Sequence, residues 1–116
     1  WLCAAWGFEP KQLITWVKGT TEPTFRLHFG MGHATRGCTE HLILATRGRY
    51  TTLIRSRKER NVIVAPLATL PDGRKHSVKP PAAYDLIERL THGRRLELFA
   101  RGPRPGWTVW GKESKG

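Results

Sequence analysis

Most of the chain consists of short apolar segments, with one helical pattern among them. This order of elements limits the fold more than any other sequence feature. Five segments are typical of strands, at 12–18, 41–46, 62–65, 96–100 and 107–110. Between the third and the fourth, Pro80-Pro81 opens a helix from about Pro81 to Leu90 that has one apolar stripe. Strands interleaved with helices predict an α/β protein whose sheet is covered by helices. We expect one mixed sheet, in which 62–65 lies antiparallel to 41–46.

Three other segments complete the predicted organisation. Residues 1–8 are apolar and resemble the last turn of a helix that Gly7 ends. Because the chain begins with Trp1 rather than Met, we expect residues 1–116 to be the C-terminal part of a single domain. Residues 19–37 have little periodicity and predict a long loop, which in a compact domain is usually functional or mobile, and 71–73 predicts a turn.

The charge of the chain favours a polyanionic partner. Twenty Lys and Arg residues against nine Asp and Glu give a net charge of +11, with a basic cluster of Arg55, Arg57, Lys58 and Arg60. Such a cluster can neutralise phosphates, although a solvated surface explains a charge run equally well. No apolar run approaches the roughly 18 residues of a membrane-spanning helix, which excludes an integral membrane protein of that kind.

Histidine and cysteine residues give no pattern that predicts a metal site or a nucleophile. His28 and His33 lie five residues apart without a second ligand pair, and we expect no metal. Cys38 lies near His41, but a Cys–His nucleophile needs a spatial arrangement that the sequence does not reveal. Two cysteines cannot form a disulfide framework, so we expect a reduced, cytoplasmic setting.

Three blocks are more specific when they are taken together. They are Gly-Met-Gly-His-Ala-Thr-Arg-Gly-Cys-Thr-Glu at 30–40, His-Ser-Val-Lys-Pro at 76–80 before the helix, and Leu-Glu-Leu-Phe-Ala-Arg at 96–101 with Trp-Gly-Lys-Glu at 110–113. In this order and spacing the chain closely resembles the C-terminal half of the adenine-N(6) methyltransferase family named for the seventy-kilodalton subunit of the mRNA adenosine methyltransferase. The resemblance extends from about Trp6 to Glu113.

The resemblance implies a Rossmann-like sheet and a methyl transfer from S-adenosylmethionine to the N(6) amine of adenine in nucleic acid. Bacterial and phage relatives are equally compact after the last block, so DNA is the favoured substrate, in the cytoplasm of a bacterial or phage-infected cell. A dimer is compatible with the family. The family's catalytic Asp-Pro-Pro-Trp tetrapeptide is absent from this chain, and we therefore expect the chain alone to be inactive.

Five residues stand at cofactor-binding positions of the family, and four of them match the family pattern. Lys79 corresponds to the lysine that reaches the carboxylate of the cofactor, and Arg101 to an arginine at its ribose. Glu97 is a further match, although a strand carboxylate could equally face solvent. At Gly111-Lys112-Glu113 the family usually has Gly-Asn-Glu or Gly-Asn-Gln, so Lys112 departs from the pattern while Glu113 fits it. Lysine donates hydrogen bonds but accepts none, so the two-way bonding of an amide is lost there.

The nucleic-acid interface predicted from the resemblance combines the segment 30–40, here called the target loop, with the basic cluster. His33 and Arg36 are its candidate contacts within the loop, and an Arg36–Glu40 ion pair is an equally good structural explanation. Ala34 stands where the family commonly has an aromatic residue. Two other hypotheses are a catalytically inert nucleic-acid-binding partner subunit and a basic structural or ribosome-associated domain, but the second leaves the three blocks unexplained.

Overall fold

A computed structural model describes residues 1–67 and 78–111, and it contains the predicted elements, with altered bounds for three of the strands. The helices are α1 (Leu2–Ala5) and α2 (Pro81–Leu90), with a 3₁₀ turn at Thr51–Leu53. The strands are β1 (Glu9–Thr20), β2 (Arg26–Leu27), β3 (Thr39–Thr46), β4 (Val62–Ala65), β5 (Arg95–Leu98) and β6 (Trp107–Trp110). All five predicted strands and the helix after Pro80 are confirmed. The predicted turn at 71–73 lies outside the described residues.

Strand β1 is the centre of a four-stranded sheet. It pairs antiparallel with β3, from Glu9 opposite Thr46 to Val17 opposite Thr39. On its other side β4 runs parallel to it, from Thr15 opposite Val62 to Lys18 opposite Ala65. The short strand β2 pairs antiparallel with the end of β1.

The predicted antiparallel pairing of 62–65 with 41–46 is therefore wrong. The connection through 47–61 is much longer than a hairpin loop, and a connection of that length lets the chain cross to the far edge of β1 and run parallel to it. Asn61 fixes the register, since its side-chain Nδ2 donates to the Leu13 carbonyl at 3.0 Å and its own carbonyl accepts from the Thr15 N–H at 2.9 Å.

The prediction of one sheet is also wrong for the described residues, because β5 and β6 form a separate parallel pair. Strand β5 ends at Leu98 rather than at residue 100. Phe99 takes a left-handed backbone conformation, with φ of 61°, and the buried Ala100 then donates to the Trp110 carbonyl at 3.0 Å. Side chains of α2, rather than backbone pairing, connect this pair to the rest of the described structure.

The hydrophobic core lies between α2 and one face of the larger sheet. Its buried members are Ile14, Trp16, Ile63, Ala83 and Leu86. Ile14 and Trp16 share one face of β1 because side chains alternate along a strand. The indole N–H of Trp16 donates to the Ala65 carbonyl at 2.8 Å, which joins β1 to the end of β4. Apolar residues on the other face, Leu13, Ile43, Val62 and Val64, are exposed, so the described residues cover one face only.

Helix α2 runs antiparallel to β4 and β5, so its two ends lie at opposite edges of the sheets. Its last residue, Leu90, accepts a hydrogen bond at 2.6 Å from the N–H of Arg55, a residue that precedes β4 in the chain. Its first residue, Pro81, comes two residues after Lys79, which contacts Glu40 at the edge where β1 ends. Residues just before α2 therefore lie at the carboxyl edge, whereas residues at its end lie at the amino edge.

Candidate functional site

The carboxyl-end site, defined here as Lys18, Glu40, Lys79, Glu97 and the loop 101–105, collects residues that are far apart in the sequence. Lys18 lies near the end of β1, where it pairs with the last residue of β4. Glu40 reaches the same edge because β3 is antiparallel to β1. Ligands of open α/β sheets bind outside the carboxyl ends of the strands, and this is the edge where these residues meet.

Glu40 connects two lysines from different segments. Its Oε2 lies 3.3 Å from the Lys18 Nζ, and its Oε1 accepts a hydrogen bond from the Lys79 Nζ. Burial raises the pKa of Glu40, but the hydrogen bonds and charges of Lys79 and Lys18 outweigh it and leave that pKa below its usual value. The triad therefore carries a net charge of about +1 at neutral pH, with the Lys18 ammonium also 5.1 Å from the centre of the Trp16 ring.

The Arg36–Glu40 ion pair considered from the sequence does not describe this arrangement. Among the described residues, Glu40 pairs with Lys18 and Lys79. The Arg36 guanidinium lies instead over the ring of Phe29, 5.2 Å from its centre.

Glu97 is half-buried and faces α2. Its Oε2 accepts a hydrogen bond from the Tyr84 hydroxyl at 2.7 Å. Burial, followed by this hydrogen bond and the negative charge of Glu97, raises the pKa of Tyr84 to about 12. A cavity of about 260 Å³ opens beside the pair, and it is lined by Pro81, Tyr84, Glu97 and residues 102–105. The sequence left open whether this carboxylate points to solvent, and the structure directs it to the cavity.

Arg104 holds the 101–105 loop against α2. Its Nε donates to the Glu88 Oε2 at 2.8 Å and its Nη2 to the Asp85 Oδ1 at 2.7 Å, and its guanidinium lies over the Tyr84 ring. The Trp107 indole N–H donates to the same Glu88 oxygen at 2.7 Å. The hydrogen bonds from Arg104 and Trp107 lower the pKa of Glu88 to about 2.

Sequence reasoning missed Lys18, Tyr84, Arg104 and Trp107. Tyr84 belongs to the apolar stripe of α2, where a place in the core is the simpler prediction, and Arg104 stands among prolines and glycines that form no recognisable pattern. One signal was available, because Asp85 and Glu88 lie one turn apart on a helix and can share a cation. Which cation they share was not evident, because the chain has 20 basic residues.

The other predicted cofactor residues lie at the same edge or outside the described part of the chain. Arg101 directly follows Ala100, beyond the end of β5, and is half-buried. Lys112 and Glu113 lie outside the described residues. Gly111, which precedes them, has φ of 152°, and a Cβ there would come within 2.8 Å of the Phe99 Cα. Glycine is therefore required where this segment passes the end of β5.

The target loop leaves the carboxyl edge as a narrow ribbon. Lys18 donates its backbone N–H to the Cys38 carbonyl and accepts from the His28 N–H, both at 2.7 Å. Farther out, a Cβ on Gly30 would lie 2.2 Å from the Gly37 carbonyl oxygen, and one on Gly32 would lie 1.9 Å from that of Thr35. Only glycine fits such close backbone approaches. His33 and Arg36 are exposed on this ribbon.

The basic cluster lies at the opposite edge, near the end of α2. Arg55 donates through Nη1 to the Glu88 carbonyl at 3.4 Å, and Glu59 accepts from Arg89 at 2.6 Å. The other members of the basic cluster are exposed, namely Arg57, Lys58 and Arg60. The structure thus brings Lys79, Glu97 and Arg101 to one edge together with the target loop, and it separates the basic cluster from them.

Metal-binding groups, thiols and membrane-spanning helices can each be assessed for the described residues. They include no group of three or more His, Cys, Asp and Glu side chains arranged to hold a metal ion. Cys3 and Cys38 are both free thiols. Within the ranges 1–67 and 78–111, no helix is long and apolar enough to cross a membrane.

Comparison with known proteins identifies the family of this chain. The sequence profile of the MT-A70 family matches residues 2–113, and the chain belongs to that family. It is 34% identical over 117 residues to the human N(6)-adenine-specific methyltransferase METTL4, covering 97% of this chain and 24% of that protein. It is 32% identical to the N(6)-adenosine-methyltransferase MT-A70-like protein of Drosophila melanogaster, covering 96% of the chain and 18% of that protein.

A third relative is the human N(6)-adenosine-methyltransferase catalytic subunit METTL3, which is 31% identical over 114 residues. These residues are 96% of the chain and 18% of METTL3. The chain therefore spans about a fifth of the length of the curated relatives that it matches. The family resemblance predicted from the three blocks is confirmed.

Proposed function

We propose that this chain forms the cofactor-binding and target-facing part of a methyltransferase that modifies the N(6) amine of adenine in nucleic acid. The observation that carries the proposal is the meeting of Lys79, Glu97 and the target loop at one end of α2. Family membership supports the reaction class, since the matched relatives are named as adenine or adenosine N(6) methyltransferases. S-adenosylmethionine would supply an electrophilic methyl group when it is bound there.

The residues at the carboxyl-end site fit the functional groups of that cofactor. The carboxylate of the cofactor would be matched by the ammonium groups of Lys79 and Lys18. Its own ammonium group would be matched by the carboxylate of Glu40, which lies between the two lysines. Glu97 has one oxygen bonded to Tyr84 and lines the adjacent cavity, so its other oxygen can accept hydrogen bonds from ribose hydroxyls. Arg101, Lys112 and Glu113 complete the proposed set.

For the target, we infer that the ribbon of residues 30–40 faces the adenine-containing strand. Net positive charge supports a phosphate-bearing partner. The preference for DNA stays a prediction, and the relatives named as adenosine enzymes make RNA the comparison substrate in every assay.

The test is a calorimetric titration with S-adenosylmethionine of the protein that carries this chain, including any segment that precedes or follows it. Lys79→Ala should raise the dissociation constant by about 10- to 150-fold, the expected loss for a hydrogen bond between charged groups. Lys11→Ala is a matched control, because Lys11 also pairs with a glutamate, at 3.2 Å, and its side chain is 33% exposed against 38% for Lys79. Lys11 lies at the opposite end of β1, so its loss should leave the affinity unchanged.

Equal affinities of the wild type and the Lys79 variant would contradict the assignment of the pocket. Equal losses in both lysine variants would indicate a general charge effect. Methyl transfer to matched DNA and RNA strands containing adenine, measured with labelled donor, then decides between the two substrates.

A further inference from the structure

Several apolar side chains are exposed in residues 25–31, the segment that leads into the target loop. Phe25 is 61% exposed, Phe29 76% and Met31 87%. No acidic residue occurs between Glu22 and Glu40, whereas Arg26, His28, His33 and Arg36 all fall in this interval. Exposed aromatic rings interleaved with cations are typical of surfaces that bind the bases and phosphates of an unpaired nucleic-acid strand.

Phe29 stands out among these residues because it is held on one side. The Arg36 guanidinium lies 5.2 Å from the centre of its ring, which leaves 76% of the residue open. Close backbone contacts of Gly30 and Gly32 with the returning segment, and a hydrogen bond from the Gly37 N–H to the Met31 carbonyl at 3.1 Å, fix the ribbon that carries both side chains. The ring therefore lies on a loop whose two backbone segments already contact each other, so binding does not have to create that arrangement.

We propose that Phe29 is a base-stacking residue, and that Arg36 supports its ring from behind while its charge lies close to the backbone phosphate of the same nucleotide. This inference rests on the proposed function, because it assigns a contact within the nucleic-acid interface of the same site. The nucleotide it binds is unpaired, since a ring that stacks on a base face needs that face to be free of its duplex neighbours. Phe29 lies five residues before Ala34, so it supplies an aromatic surface to a loop that lacks one at the family position.

The experiment measures fluorescence anisotropy of a labelled twelve-nucleotide single strand containing adenine, and of the same strand in a duplex, with the whole chain. Phe29→Leu should weaken single-strand binding by about 5- to 150-fold, and Phe29→Tyr should keep an affinity near that of the wild type. The slope of log affinity against log salt should stay the same in Phe29→Leu, because no phosphate contact is lost. Arg36→Ala should lower that slope by roughly 0.7.

Phe8→Leu provides a matched control. Phe8 also lies under an arginine, with the Arg47 guanidinium 5.1 Å from its ring centre, but it precedes β1 at the other end of that strand. Its loss should leave both affinities unchanged. Circular dichroism of each variant checks that the fold is intact. The fold should not depend on the Phe29 side chain, because that side chain is exposed.

Two results would overturn the inference. One is single-strand affinity that is equal in wild type and Phe29→Leu, and the other is an equal effect of Phe29→Leu and Phe8→Leu. The proposed function fails separately, through unchanged S-adenosylmethionine affinity in Lys79→Ala. A Phe29-dependent affinity without donor binding would support the stacking contact and contradict the proposed cofactor site.

Discussion

The two ends of α2 carry positive charge in different settings. At its beginning, Lys79 and Lys18 share the half-buried carboxylate of Glu40, beside the Glu97 cavity and at the carboxyl edge of parallel strands. At its end, Arg57, Lys58 and Arg60 extend into solvent, and Arg55 and Glu59 attach this segment to the helix. The beginning of α2 has fewer positive charges than its end, yet it forms the better-defined site. What a charged side chain can bind depends on where it lies relative to the strand ends and on the groups around it.

The largest effect should come from removing the core support of the carboxyl end. Trp16 is fully buried beneath Lys18 and is bonded to the end of β4. Trp16→Ala should cost about 3–5 kcal/mol of the free energy of unfolding, because it leaves a cavity and an unpaired carbonyl. Arg57→Ala, at the other edge, should change stability by no more than about 0.5 kcal/mol. Urea denaturation of both variants measures this contrast, and similar losses would contradict it.

A smaller difference should separate two glutamates, one at each end of α2. Glu40→Gln leaves the Lys18 and Lys79 ammonium groups close together without the negative charge between them, and should cost roughly 1–2 kcal/mol. Glu59→Gln removes one contact with the more exposed Arg89 and should cost less than about 1 kcal/mol. Thermal unfolding at low and high salt tests the prediction. A greater loss for the Glu59 variant would reverse the ranking of the two ends.

Acid should weaken the attachment of the 101–105 loop through Glu88. The pKa of this carboxyl is lowered to about 2, so its contribution is fully present above the ordinary value of 4.5 and is lost as the pH falls through 2. We expect the wild-type melting temperature to fall over this window, and the fall to be shallower in Glu88→Gln. Melting curves followed by circular dichroism between pH 2 and pH 6 show it. Parallel profiles of the two proteins would mean that Arg104 and Trp107 do not hold this carboxylate in solution.

The smallest effect should come from the basic cluster. Arg57→Ala combined with Arg60→Ala should flatten the salt dependence of duplex DNA binding by roughly one to two units of slope, since each lost phosphate contact contributes about 0.9. The affinity for S-adenosylmethionine should not change, because these residues lie at the amino edge. Anisotropy titrations at several salt concentrations give the slope. An unchanged slope would show that the cluster is a solvated surface.

Local patterns in the sequence determined where the elements lie. Short apolar segments specified the strands, and Pro80-Pro81 with the stripe through Leu90 specified α2 at its observed bounds. The three blocks also identified the family, and the correspondence with the family is sufficient to select Lys79, Glu97 and Arg101 as candidates. These features depend on residues close in sequence or on a family pattern, so they can be recognised without the fold.

Tertiary structure decided which strands pair and which charges meet. The crossing through 47–61 placed β4 parallel to β1, and this direction put the basic cluster and the target loop at opposite edges. Glu40 forms ion pairs with Lys18 and Lys79 rather than with Arg36, which is closer in sequence than Lys79. The Arg36 guanidinium lies over the Phe29 ring instead. Sequence alone could not resolve these choices, because one carboxylate among 20 cations has many partners of similar energy until the backbone fixes their distances.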